Sequence, residues 1–219
     1  MQQQRHYILN KISEGEGLHL DFKHSIGDSK KIARSLSAFA NTEGGTLLIG
    51  VRDNKSIAGI NSDEEYYMIE NAAYIYSKPQ IQFNHKIHNI SGKTVLEINV
   101  LKSNSGPHSA PDENGIYRYY LRVKDTNYVA PHALVEAWKL RNKNIKGIKL
   151  IFDSVVELIL NEINENSSIS KSKIQRITGI SSKKADIILR NMLLMNILDV
   201  TVIENSIKYI FHKNYEYRK

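Results

Sequence analysis

Apolar spacing predicts a helix followed by a sharp stop near residue 44. Ile32, Leu36 and Phe39 recur at helical intervals behind Asp28, and aspartate is a favoured N-cap residue. The pair Gly44–Gly45 comes next, and glycine ends helices because it adopts positive φ without steric cost. We therefore expect a capped helix that turns directly into the segment beginning at residue 46.

Strand-length segments follow this helix. The run 46–51 is continuously apolar, which predicts a strand buried on both faces. Three later segments alternate apolar and polar residues as half-buried strands do, and Ser91-Gly92 makes a hairpin turn between the first two. The predicted strands are 46–51, 81–90, 93–101 and 116–124, and the further predicted helices are 63–76 and 131–141. Together they indicate an α+β fold with a mixed sheet.

The end of the chain has a different pattern. Phe152, Val156, Ile159 and Ile163 recur at helical spacing. Further helices are predicted at 170–177 and 182–195, a turn at 178–181, and strands at 199–203 and 207–211. This order is typical of a winged helix-turn-helix. We therefore expect a core domain at 1–142, a basic linker at 143–150 and a small winged-helix domain at 151–219.

Composition excludes several classes of function. The 219 residues carry 30 lysines and arginines against 23 acids, a net charge of +7 that leans weakly toward a polyanionic partner. The sequence has no cysteine, which excludes disulfides, thiolate metal sites and thiol catalysis. It shows neither a membrane-spanning apolar run nor an apolar secretory signal at its start. These features predict a cytoplasmic protein without a membrane partner.

Carboxylates placed around predicted strands are candidates for metal binding. Glu16 and Asp21 lie five positions apart with Lys23 beside them, and Asp53 follows the strand at 46–51. Mg²⁺ and Mn²⁺ prefer oxygen ligands, and such an ion can offset the charge that develops on a phosphodiester. The alternative is that these are ordinary surface acids, one of them paired with Lys23 or Arg52.

Three segments together resemble the Schlafen AlbA-like domain. They are EGLHLDFK at 16–23, AFANTEGGTLLIGVRD at 38–53 and YYLRV at 119–123, and the resemblance covers about residues 10–140. It implies a mixed-sheet core that binds nucleic acid, and an appended winged helix is a common bacterial arrangement of it. We therefore expect a DNA-binding transcriptional regulator.

The resemblance also implies an alternative function, a metal-dependent endoribonuclease acting on structured RNA such as transfer RNA. RNA-cutting family members use three carboxylates, which fall by position on Glu16, Asp21 and Asp53, with Lys23 adjacent; Mg²⁺ or Mn²⁺ would be the cofactor. Asp21 departs from the family by replacing a longer glutamate. Vertebrate relatives have two related lobes and this chain has one, so we expect a homodimer.

Basic and aromatic residues supply candidate nucleic-acid contacts. Along the late strand these are Arg118, Tyr120 and Arg122, which could offer ring faces and guanidinium groups or simply pack within the sheet. In the tail they are Lys183, Lys184, Arg190 and Lys208, with Ser181, Ser182 and Asp186 placed to reach base edges. The alternative for the tail is a solvated charged face or a dimerisation module.

Neither a nucleotide-binding motif nor the histidines add a further candidate site. The sequence has no phosphate-binding loop of the Gly-x4-Gly-Lys-Ser/Thr type, so we expect no ATP site. His85 and His88 lie an odd number of residues apart on a predicted strand and are expected to point to opposite faces. We therefore interpret them, with His108, as ordinary polar positions.

A third hypothesis, from a different functional class, is a protein-interaction adaptor whose winged helix dimerises.

Overall fold

The chain folds into two compact units, divided after Ala130, in the computed structural model, which describes residues 2–143 and 149–217. The first unit contains helices α1 (Gln2–Glu14), α2 (Ser29–Asn41) and α3 (Ser62–Glu70), a π-helical turn (Asn71–Ile75), and strands β1 (Leu20–Lys23), β2 (Gly45–Ile49), β3 (Asn84–Ile90), β4 (Lys93–Val100), β5 (Ser109–Pro111), β6 (Tyr117–Val123) and β7 (Thr126–Val129). The second contains α4 (His132–Asn142), α5 (Ser154–Asn166), α6 (Lys171–Thr178), α7 (Ser182–Leu194), β8 (Leu198–Ile203) and β9 (Ser206–Phe211).

Strand β2 lies inside a four-stranded mixed sheet with the order β1-β2-β4-β3. It pairs parallel to β1 and antiparallel to β4. Leu47 and Ile49 enter one apolar core, whereas Leu48 enters the core on the opposite face with Phe22. The prediction of a strand buried on both faces is confirmed, and so is the mixed α+β class.

Helix α2 begins and ends as its sequence predicts. The Asp28 side chain caps it by accepting a hydrogen bond from the backbone N–H of Lys30 at 2.8 Å. After the helix, Gly44 has φ +73° and lies so close to β4 that a side chain there would meet the carbonyl oxygen of Val100. A side chain on Gly45 would overlap the ring of Phe39. The glycine pair thus lets α2 turn directly into β2.

Several elements of the first unit lie outside what the apolar pattern predicted. Helix α1 has weak periodicity, and strands β5 and β7 are too short to show alternation. Strands β5, β6 and β7 form a second, three-stranded antiparallel sheet that packs on α2. The predicted helix at 63–76 changes to π-helical geometry at residue 71.

A buried polar cluster connects α1 to the sheet. The carboxylate of Glu97 accepts hydrogen bonds from Lys11 and Tyr7 through Oε1, each at 2.9 Å, and its Oε2 lies 2.7 Å from Nε2 of His88. Burial by itself would raise the pKa of Glu97, but the hydrogen bonds with Lys11, His88 and Tyr7 outweigh it and lower that pKa. This polar cluster lies beside an apolar contact, in which Ile8 and Ile12 of α1 pack in the core that also holds Leu48, so both kinds of contact join α1 to the sheet.

The second unit is a helical bundle with a terminal β-hairpin. Its core contains Ile159 from α5, Ile174 from α6, Leu189 from α7 and Tyr209 from β9. The predicted helices and strands are confirmed, and Ser170 caps α6 by accepting a hydrogen bond from the backbone N–H of Lys173. Among the helices of the described ranges, none is long and apolar enough to cross a bilayer.

Helix α4 belongs to this second unit, although we expected it to close the first domain. Its Ala133 and Ala137 enter the second core, and Arg141 donates a 2.7 Å hydrogen bond to the carbonyl of Leu193 at the end of α7. Small side chains on α4 permit this close approach to α7, a fact that the helix's own periodicity does not reveal. The predicted linker at 143–150 falls largely on residues 144–148, which lie outside the described residues.

Candidate carboxylate site and nucleic-acid surfaces

Glu16 and Asp21 lie together at the first-unit sheet. A tight turn between Gly17 and Leu20 brings Glu16 back over β1, where its Oε1 accepts a 2.8 Å hydrogen bond from the backbone N–H of Phe22. Partial burial and the neighbouring Asp21 carboxylate raise the pKa of Glu16 against the opposing effect of that hydrogen bond. Two carboxylates predicted to cooperate are thus neighbours in space.

Asp21 is neutralised by two cations. It is buried, and its Oδ1 accepts a 3.1 Å hydrogen bond from the Arg122 guanidinium. Its Oδ2 lies 2.9 Å from Nζ of Lys23 as an ion pair without hydrogen-bond geometry, and that ammonium donates a hydrogen bond to the carbonyl of Phe22. Lys23 therefore contributes to the charge balance of the carboxylate pair.

Arg122 also fixes the turn that carries Glu16. Its guanidinium donates to the carbonyl oxygens of Gly17 at 2.9 Å and Leu20 at 3.1 Å, and to Oδ1 of Asn127 at 3.0 Å. The group stacks over the ring of Phe39, 4.7 Å from the ring centre. This buried arginine is the organising residue of the site.

Asp53 does not complete a three-carboxylate group. It lies in the exposed turn after β2, and the described residues contain no cluster of three or more histidine, aspartate or glutamate side chains arranged to hold a metal ion. Mg²⁺ is often held by one or two carboxylates plus water and substrate phosphates, so Glu16 and Asp21 supply the right donor atoms. Arg122 and Lys23 already balance Asp21, however, so the described residues do not fit the three-carboxylate centre that the family resemblance implied.

Two of the three β6 residues that were predicted to contact nucleic acid are buried. The side chain of Arg122 is 1% exposed and has its donors engaged, and Tyr120 is buried in the core beside α2. Neither can present a face to a nucleic-acid strand, and their prediction as contacts is wrong. Arg118 is half exposed and pairs with Asp112 at 3.4 Å. Arg118, Tyr120 and Arg122 share one face of β6, and α2 covers that face from residue 120 onward but leaves it open at Arg118.

Helix α7 presents its first turn to solvent. Lys183 and Lys184 are exposed, and the Ser181 hydroxyl accepts a hydrogen bond from the N–H of Lys184 at 3.3 Å as the N-cap. Asp186 is instead held by Lys171 at 2.7 Å. The two lysines are therefore the most available cations among the residues predicted to contact DNA.

The remaining tail candidates are less exposed. Arg190 is half-buried and donates to Oδ1 of the adjacent Asn191, and it lies beside α4 near Glu136. Lys208 is half-buried on β9, where its backbone pairs with Thr201 of β8. Sequence reasoning did not foresee that α4 runs beside α7, so the surroundings of Arg190 were not predictable.

The fold is that of a mixed α+β protein whose first unit is followed by a helical unit with a terminal hairpin. A family model described as Schlafen, AlbA_2 matches residues 16–131, which is more than half of the chain. The chain belongs to this family. Comparison with curated proteins found no match.

Two solved structures resemble the chain distantly. The DIP2311 protein from Corynebacterium diphtheriae is 17% identical with a TM-score of 0.44; the match covers 73% of this chain and 37% of that one. The N-terminal domain of a RecG-related protein from Nitrosomonas europaea is 19% identical with a TM-score of 0.38; the match covers 57% of this chain and 92% of that domain. The chain thus spans well under half of the Corynebacterium protein.

Proposed function

We propose that the protein binds nucleic acid and regulates transcription, with the second unit acting as a winged helix-turn-helix that contacts DNA through α7. The observation that carries this proposal is the exposed, capped and basic first turn of α7, which follows α6 after a short turn. Membership of the Schlafen, AlbA_2 family supports a nucleic-acid-binding role. The expected homodimer and cytoplasmic location remain predictions.

The order of elements in the second unit supports the winged-helix assignment. Helix α5 leads to a single β-bridge between Ile169 and Tyr209, then to α6, a turn, α7 and the β8–β9 hairpin. Gly179 ends α6 with φ +68°, which allows the sharp turn into α7. In this arrangement the second helix of the pair enters the major groove and the hairpin forms the wing.

The charges on this surface suit a duplex. Lys183 and Lys184 stand at the N-terminal turn of α7, where side chains reach base edges and phosphates, and the backbone N–H groups there favour anions. Lys208 on β9 lies on the proposed wing. Each phosphate neutralised by a lysine releases condensed counterions, so affinity is expected to fall as salt rises.

Fluorescence anisotropy with a labelled DNA duplex tests this proposal. The double variant Lys183→Gln/Lys184→Gln should bind about tenfold more weakly, and its plot of log affinity against log salt should be flatter by about two units. Lys86→Gln/Lys93→Gln is the matched control, since it removes two charges from the β3–β4 hairpin of the first unit. Equal weakening in both variants would contradict a contact through α7.

A second candidate function, metal-dependent cleavage of structured RNA, is favoured by the Glu16–Asp21 pair. When bound, a divalent ion would supply charge neutralisation at the scissile phosphate. Glu16 would contribute a carboxylate whose pKa is raised by partial desolvation and by the neighbouring Asp21 carboxylate, and Lys23 would remain near the phosphate. Arg122 would hold Asp21 directly and would hold Glu16 through the backbone of the turn that carries it.

Incubation of the protein with transfer RNA and Mn²⁺ tests the second candidate. Cleavage should require the metal and should fall by at least about a hundredfold in Glu16→Gln, a change that leaves the Asp21–Arg122 pair intact. Glu14→Gln, two residues earlier, is the control and should retain cleavage. Intact RNA with the wild type, or cleavage by Glu16→Gln at the wild-type rate, would exclude this function for the pair.

A further inference from the structure

A serine and a histidine meet in the loop between β4 and β5, away from the carboxylate pair. The hydroxyl oxygen of Ser103 lies 2.7 Å from Nε2 of His108. Nδ1 of His108 lies 2.8 Å from the carbonyl oxygen of Pro79. A carbonyl can only accept, so Nδ1 carries the proton and donates it. Nε2 is then the acceptor, and the Ser103 hydroxyl donates to it.

The loop is held in place by α2. Asn41 accepts a 2.7 Å hydrogen bond from the N–H of His108 and donates to its carbonyl at 2.8 Å, and Ser37 donates to the same carbonyl at 2.6 Å. The N–H of Ser103 donates to the carbonyl of Ala40 at 2.8 Å. Both ends of the serine–histidine pair are therefore fixed by backbone contacts, which keeps the two side chains aligned.

The histidine is suited to accept a proton at neutral pH. Burial lowers the pKa of His108 below its ordinary value of 6.5, against the opposing effect of its hydrogen bond to Pro79. The imidazole is accordingly neutral at pH 7. When it takes a proton on Nε2, the Pro79 carbonyl stabilises the resulting imidazolium through Nδ1–H.

The pair opens into a pocket of about 280 Å³ on the first unit. Ser103 is partly exposed and lines it together with His108. The side-chain amides of Gln82, Asn84 and Asn99 also line it, and their N–H groups are available as donors. Phe83 and Leu101 supply apolar surface. Lys102 also lines the pocket, but its ammonium pairs with Glu43 at 2.8 Å. A lining of otherwise neutral polar and apolar groups favours a small uncharged ligand over a phosphate.

We propose that Ser103 and His108 form a nucleophile–base pair that hydrolyses small, uncharged carboxylic esters in this pocket. The geometry required is a nucleophile within hydrogen-bond reach of its base and a base oriented by a third group, and Ser103, His108 and the Pro79 carbonyl meet it. This activity is independent of nucleic-acid binding through α7.

The chemistry balances with water as the co-reactant. Ser103 Oγ bonds to the ester carbonyl carbon while its proton passes to Nε2 of His108. The carbon–oxygen bond to the leaving alcohol then breaks, and Nε2 returns the proton to that alcohol's oxygen. Water attacks the acyl-serine, His108 takes its proton, and the carboxylic acid leaves as Ser103 recovers its hydrogen.

Covalent labelling with diisopropyl fluorophosphate, located by peptide mass spectrometry, tests the proposal on the full chain. Wild-type protein should gain one adduct on Ser103 and should also release p-nitrophenol from p-nitrophenyl acetate. Ser103→Ala should lose both. His108→Gln should slow labelling by at least about a hundredfold. Ser206→Ala, which removes an exposed serine hydroxyl at the start of β9, is the control and should behave like the wild type.

The pH dependence of wild-type labelling separates a base-assisted serine from an ordinary one, even if His108→Gln fails to fold. The rate should rise as His108 loses its proton, with a midpoint below about pH 6.5, and level off above it. Absence of an adduct on Ser103, or a labelling rate that keeps rising with hydroxide concentration without levelling off, would overturn the proposal. Equal labelling of folded His108→Gln would overturn it as well.

Discussion

The two units place their polar groups in opposite ways. In the first unit, charged side chains such as Asp21, Glu97 and Arg122 are buried and paired. In the described part of the second unit, residues 131–143 and 149–217, the buried side chains are apolar apart from the hydroxyl of Tyr209, and the charges lie toward solvent. Buried charge requires fixed partners, whereas an apolar core accepts many packings of the same volume.

This contrast separates two kinds of site. The first unit holds carboxylates, an arginine and a serine–histidine pair in geometries set by long-range hydrogen bonds, as chemistry requires. The second unit is a scaffold that presents surface lysines, as electrostatic binding requires. We therefore look for chemistry in the first unit and for the proposed DNA contact on the lysines of the second.

Removing the buried arginine should produce the largest effect. Arg122→Met leaves the Asp21 carboxylate buried with Lys23 as its remaining partner and frees the carbonyls of Gly17 and Leu20. We expect a loss of about 3–5 kcal/mol in the free energy of unfolding, measured by urea denaturation. Arg118→Met, four residues earlier on the same strand, should change it by less than about 1 kcal/mol. Similar losses for both variants would show that burial of charge does not distinguish the two positions.

Truncating a side chain in the second core should lower the free energy of unfolding somewhat less than Arg122→Met does. This loss should be the same at neutral and acidic pH. Leu189 is fully buried among apolar neighbours, so Leu189→Ala removes transfer energy and leaves a cavity. We expect a loss of about 3 kcal/mol. Unfolding followed at neutral and at acidic pH checks this, with exposed Met195→Ala as the control. A loss that changes with pH would contradict the apolar character of this core.

Neutralising Glu97 should give the smallest of the three stability losses and a distinctive pH dependence. Because its folded pKa is lowered, Glu97 stabilises the protein above its unfolded value of about 4.5, and this contribution disappears as pH falls through the folded pKa. Glu97→Gln should therefore cost about 2 kcal/mol at pH 7 and less in acid.

Urea unfolding of Glu97→Gln across this pH range is the measurement, compared with Glu113→Gln, whose carboxylate is largely exposed. A pH-independent loss for Glu97→Gln would show that its charge is not what stabilises α1 on the sheet.

Local sequence was sufficient for elements with strong periodicity or clear caps. Asp28, the Gly44–Gly45 pair and the Ser91-Gly92 turn were each assigned to the structure that they form, because capping and positive φ are properties of a few adjacent residues. The proximity of Glu16 to Asp21 also followed from a short segment. Helix α1 was not foreseen, because its partners are distant in sequence. Ile8 and Ile12 pack in a core with strand residues, and Lys11 binds Glu97, more than eighty residues away.

What the sequence determined by itself is the α+β class, the order of most elements, family membership and the exposed lysines of α7. What only the tertiary structure decided is which charges are buried. The residues of β6 at 117–123 look alike as strand residues, yet packing on α2 buries Arg122 beside Asp21 and leaves Arg118 half exposed. Burial depends on which distant element covers a position, and Ser103 and His108 were likewise oriented by Asn41 and Pro79 across the fold. The local periodicity of the sequence does not reveal such long-range contacts.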